Sequence, residues 1–87
     1  SDYTEIWEAV QKGKGKTLFV KKDFFQAAKI IDGKVELISK IEKDDTLVID
    51  DIVDEIIEFN MANGGDVVFV ENNELDKFNN IALTLRY

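Results

Sequence analysis

Two short apolar runs, Thr17-Leu18-Phe19-Val20 and Val67-Val68-Phe69-Val70, constrain this chain more than any other feature. Both favour β structure and lack polar alternation, as expected of buried strands in a parallel sheet. Parallel neighbours need a long crossover, usually helical, and the stretch between the runs holds the strongest helical pattern in the sequence. There Ile49, Ile52, Val53, Ile56, Ile57 and Asn60 or Met61 share one face, while Asp50, Asp51, Asp54, Glu55 and Glu58 line the other. Asn63-Gly64-Gly65 marks its end. Strand, helix and strand in this order predict a right-handed crossover, with Ile52, Val53, Ile56 and Ile57 in the core.

The remaining elements follow from local signals. Tyr3, Ile6, Trp7 and Val10 fall at the spacing of an amphipathic helix, with Asp2 and Glu5 placed as a capping box and Gly13 as a stop. Asp32-Gly33-Lys34 separates Ala28-Lys29-Ile30-Ile31 from Val35-Glu36-Leu37-Ile38, and Asp-Gly between β-prone runs predicts a hairpin, because both residues tolerate positive φ. Glu42-Lys43-Asp44-Asp45 reads as a polar connection into the acidic helix, and Asn72-Asn73 as the cap of a short turn over Glu74 to Phe78. Ile81 to Tyr87 reads as a third strand. Helices on both faces of a mixed sheet predict an α/β fold, a three-layer α/β/α sandwich. At 87 residues and 45% hydrophobic content, the chain is expected to form a single domain over 1–87, burying roughly 60 to 70% of its unfolded surface. Its start at Ser1 reads as that of a fragment of a longer protein.

Composition excludes much chemistry. With no His and no Cys there is no imidazole base, no Ser-His or Cys-His pair, no tetrahedral zinc site and no disulfide. The longest apolar runs are too short for a signal or membrane segment, and the chain is read as cytoplasmic. Gly13-Lys14-Gly15-Lys16-Thr17 has the look of a phosphate loop, but Val10 stands where a Walker A glycine belongs, and the loop leaves a helix rather than entering one. It reads instead as a flexible, solvated connection.

Two charged clusters remain. Lys12, Lys14, Lys16, Lys21 and Lys22 form a basic stretch that could touch RNA weakly, although Phe19 is the single aromatic residue among them and base stacking needs more than one ring. Asp50, Asp51, Asp54, Glu55 and Glu58, with Glu42, Asp44 and Asp45 before them, form an acidic surface. They lack the turn-forming glycine of a calcium loop and any His, Cys or Arg to orient a substrate, so a solvated helix face or a docking surface for a basic partner is expected. No cofactor and no metal is expected.

Gly64-Gly65-Asp66-Val67-Val68-Phe69-Val70, then Leu75, Phe78, Ile81-Ala82 and the closing Leu85-Arg86-Tyr87, resemble the C-terminal domain of the bacterial archaeo-eukaryotic release factor family. Trp7-Glu8-Ala9, Thr17 to Val20, and Asp51, Asp54, Glu55, Ile56 and Ile57 look like the same family, so the likeness spans most of the chain outside residues 24–45. It implies the third domain of the class-1 termination factor and pelota group, with a fold similar to the kink-turn-binding ribosomal protein superfamily. The implied role is a non-catalytic docking domain in translation or ribosome rescue, partnered by protein, because the hydrolytic Gly-Gly-Gln is absent and Asp66 follows Gly64-Gly65. Direct RNA binding by the isolated domain is not expected. The alternative is an unrelated homo-oligomerising or regulatory interaction domain. Asn79-Asn80 stands where relatives have Gly-Gly, so one of these residues is expected at positive φ, which Asn reaches more readily than other non-glycine residues. Leu83 stands where relatives have smaller residues.

Overall fold

The computed structural model describes residues 2–38, 48–71, 73–78 and 80–86. The elements in chain order are α1 (Tyr3–Gln11), β1 (Gly15–Lys21), β2 (Ala27–Ile31), β3 (Lys34–Ile38), β4 (Val48–Ile49), α2 (Ile52–Ala62), β5 (Asp66–Val70), a 3-10 helix (Asn73–Phe78) and β6 (Ile81–Leu85). They form a mixed α/β fold with two sheets. The polar connection 42–45, Asn72, Asn79 and Tyr87 lie outside the described residues.

In the first sheet β1 is central, parallel to β5 and antiparallel to β6. Leu18 and Val20 of β1 are buried on the face that meets the helices, in register with Val67 and Phe69 on one side and Leu83 and Ile81 on the other. The β1–β6 register shifts between Gly15 and Leu18. There the Thr84 hydroxyl bridges the irregularity, accepting from Thr17 N at 3.0 Å and donating to Thr17 O at 3.3 Å. The expectation of a second fully buried strand is corrected: β5 lies at the sheet edge, with Val68 43% and Phe69 57% exposed. An apolar run shows that a strand is there but not how many neighbours cover it.

Asp2 caps α1, its carboxylate accepting from Thr4 N at 2.8 Å, and Gly13 ends the exit turn at φ 72°. The hairpin forms as expected, with Asp32 at φ 50° and Gly33 at φ 78°, the double left-handed turn that matches strand twist. Rather than joining β1, however, it pairs through β2 with β4 as a separate sheet, order β3-β2-β4. Ala28 still reaches the main core, and Val35 N donates to the Thr4 hydroxyl at 2.9 Å, which fastens the hairpin to α1.

α2 starts later than its apolar pattern predicts. Ile49 belongs to β4, paired with Ala28, and Asp51 is the N-cap. The Asp51 carboxylate accepts from Val53 N at 3.1 Å and from Gln26 N at 3.2 Å, and Ile52 N donates to Gln26 O at 2.7 Å. A side-chain oxygen that satisfies the first free amides sets a helix start more sharply than apolar periodicity does. Ile52, Val53 and Ile56 are buried as expected, while Ile57 packs half-buried against the core. α1 and α2 pack on each other, Trp7 meeting Phe59 edge to face at 5.4 Å. The 3-10 helix packs against β1 and β6 and buries Leu75, and Asn80 follows at φ 68° with its N–H on Leu75 O, the expected left-handed turn into β6.

Candidate functional site

The last turn of β1 and the first turn of α2 meet at the carboxyl ends of the parallel strands β1 and β5. In open α/β sheets this is where crevices form, because the chain leaves adjacent strands in different directions. Here the crevice measures about 210 Å³. Its apolar lining comes from Phe24 and Phe25 after β1, Phe69 of β5, and Val53 and Ile57 of α2. Asp23, Asp51 and Asp54 stand around it, against Lys21 as the one cation among the described residues that line it. Phe25 is 73% exposed, and Phe69 beside it is exposed as well, so the two rings form an apolar patch.

Local rules explain the construction. Phe24 N donates to Lys21 O in a tight turn that needs Asp23 at φ 60°, so Phe24 turns towards the core while Phe25 is left outside. Asp51, busy with two backbone amides, fastens the base of the crevice to the hairpin. The same carboxylate acts on α1. Burial pushes the Tyr3 phenol up to about 12, and the neighbouring charge of Asp51 pushes it the same way.

The five acids expected on one helix face divide by role. Asp50 precedes the helix and is exposed, Asp51 is the cap, Glu55 is half-buried, and Asp54 and Glu58 are exposed on α2. Of the five, Asp51 alone is drawn inward, by capping; Asp54, Glu55 and Glu58 stay together on α2, and Asp50 precedes it. Among the described residues no three carboxylates gather closely enough to hold a metal ion.

The five lysines are not one patch either. β1 separates Lys16 from Lys21 by roughly 17 Å at about 3.3 Å per residue, with Lys12 and Lys14 at the first end and Lys22 at the second. Lys22 pairs with Glu71 at 3.3 Å, Lys12 and Lys14 share a hollow with Glu5 and Glu8, and Lys16 shares one with Asp66 and Arg86. Arg86 holds structure together: Nε donates to Gly15 O at 3.0 Å and Nη2 to Asn63 O at 2.8 Å. Nor is Gly15 part of a flexible solvated loop. It is buried at the start of β1, beside the Asn60 side chain.

Sequence reasoning missed the crevice. Its signal was present in Phe24-Phe25, two aromatic residues in a polar connection just after a parallel strand. No protein-family model matches the chain, and no curated protein matches it. Among the described residues no helix is long and apolar enough to cross a membrane.

Proposed function

We propose that this chain is a non-catalytic docking domain of a release-factor-like translation or ribosome-rescue protein, acting in the cytoplasm and recognising a basic protein surface. The observation that carries the docking reading is the crevice: exposed Phe25 and Phe69 beside the exposed carboxylates of Asp23 and Asp54, with Asp51 committed to the helix cap at its base. Aromatic anchors ringed by acids suit partner lysines and arginines, whose stems are apolar and whose heads are cationic. A net charge of −7 adds long-range attraction for such a partner. The release-factor part of the reading rests on the resemblance of strand β5, the 3-10 helix and strand β6 to that family. Its three-layer architecture, similar to the kink-turn-binding superfamily, draws support from two helices packed together and the 3-10 helix placing Leu75 on β1 and β6. The absence of His and Cys supports a role without catalysis.

Co-sedimentation with purified ribosomes and affinity measurement against a purified translational GTPase test the reading. Retention by either, lost in Asp54→Lys and Phe25→Ser, is the expected result. Retention by neither, with micromolar self-association in the ultracentrifuge, would establish the oligomerising alternative instead.

A further inference from the structure

Strand β5 offers more than the rings beside it. Among the described residues it is an edge of its sheet, and Val70 O accepts from Lys22 N on the β1 side. In a parallel ladder, alternate residues direct both backbone groups to the neighbour. Asp66, Val68 and Val70 therefore bond towards β1, and the N–H and C=O groups of Val67 and Phe69 point outward. From Val67 to Val70 the edge carries no charge, no glycine and no proline, the devices that usually block strand addition.

Helix α2 packs over β1 and β5. Its Phe59 side faces Trp7 of α1, so the opposite flank, with Asp54, Ile57 and Met61 at helical spacing, lies on the β5 side. Met61 is 60% exposed, and Glu58 stands next to this flank on the outer surface. On the helix side of β5 stands a flank of α2 that carries both apolar and acidic groups, while Val68 lies exposed on the opposite face of the strand.

We infer that β5 accepts an extended segment of another protein as an added strand, a segment in which Lys or Arg alternates with aliphatic residues. The basic side chains face α2, laying their stems over Phe69, Ile57 and Met61 and their charges by Asp54 and Glu58. The aliphatic ones extend the Val68 face. Main-chain bonds to Val67 and Phe69 supply the register, and charge selects the partner over a second copy of this chain, which would bring another −7. The inference deepens the docking reading above and rests on it.

The test titrates the protein with the peptide acetyl-KVKVKVK-amide and follows amide hydrogen exchange residue by residue. Saturable binding that slows exchange at Val67 and Phe69 by about tenfold or more, and weakens about tenfold in Asp54→Lys/Glu58→Lys, is expected. Binding that the charge reversal abolishes while Val67 and Phe69 exchange unchanged overturns strand addition and leaves docking intact. If neither this peptide nor a helix-forming Lys-Leu peptide binds, both readings fall. Self-association that itself protects Val67 and Phe69 overturns the choice of partner.

Discussion

Replacing Gly15 by Ala tests how the basic end of the molecule is packed. Neither Gly15 nor Gly65 has a left-handed backbone, so space rather than φ is what each supplies. A Cβ on Gly15 would lie 2.3 Å from Asn60 Oδ1 and 3.1 Å from Leu83, and a Cβ on Gly65 would lie 2.5 Å from Asn60 Nδ2. Asn60 is 1% exposed, and its Nδ2 donates to Asp66 O at 2.9 Å. The carboxamide is boxed between two backbones and cannot swing aside. Overpacking costs about 1 to 3 kcal/mol, and displacing the amide from its partner adds about 1 to 3, so Gly15→Ala is expected to cost about 3 kcal/mol. The whole domain has only roughly 4 to 13 kcal/mol to lose. Asn60→Ala alone removes the bond and is expected to cost about 2 kcal/mol. In the double variant the new methyl enters the space the carboxamide left, so the total stays near about 2 kcal/mol, a coupling of about 3. Urea unfolding followed by Trp7 fluorescence measures all four corners, since Trp7 is the sole tryptophan and is packed against Phe59. Costs additive within about 0.5 kcal/mol would refute the boxed carboxamide.

Further expectations concern the core, the last turn, pH and RNA. Ile56 is fully buried, so Ile56→Ala is expected to cost about 2 to 5 kcal/mol in the same assay, and a loss under about 1 would show that α2 packs by another face. Asn80 sits at φ 68° with its Oδ1 buried and unpartnered among the described residues; Asn80→Gly relieves both and is expected to gain about 1 kcal/mol, and a loss would refute that account. The Tyr3 phenol titrates higher in the folded state, about 12, than its ordinary 10, so its contribution is complete below pH 10 and fades as pH rises towards 12. Thermal midpoints from pH 9 to 11.5 should therefore fall more steeply in the wild type than in Tyr3→Phe, and equal slopes would remove Tyr3 from the account. With its lysines split between two ends and flanked by acids, the isolated chain is expected to bind single-stranded or kink-turn RNA no tighter than about 10⁻⁴ M at physiological salt. Micromolar binding by fluorescence polarisation, lost in Lys14→Glu/Lys16→Glu/Lys22→Glu, would put RNA first among the partners.

What could be read from the residue string was whatever a few neighbouring residues decide among themselves. Asp2 and the spacing of Tyr3, Ile6, Trp7 and Val10 specify α1, because a cap and an apolar stripe need only one stretch of chain. Asp32-Gly33 specifies the hairpin, and Asn80 the left-handed turn, through backbone sterics alone. The apolar runs of β1 and β5 identify parallel partners because a long helical connection leaves them little else to do. Asp51 shows where this legibility ends: as one carboxylate among many it belongs to an acidic face, yet its competing chance to cap α2 and hold Gln26 depends on where the hairpin lies.

Tertiary structure decided the rest, and always through contacts between residues far apart in sequence. Among the described residues, only the assembled sheet makes β5 an edge. Only the meeting of α2 with β1 and β5 sets the Asn60 carboxamide against the backbones of both Gly15 and Gly65. The crevice likewise needs Phe25, Asp54 and Phe69 from three separate elements, and no local rule of spacing brings them together. Short-range sterics and hydrogen bonds specify elements, whereas the site depends on how those elements share a single small core.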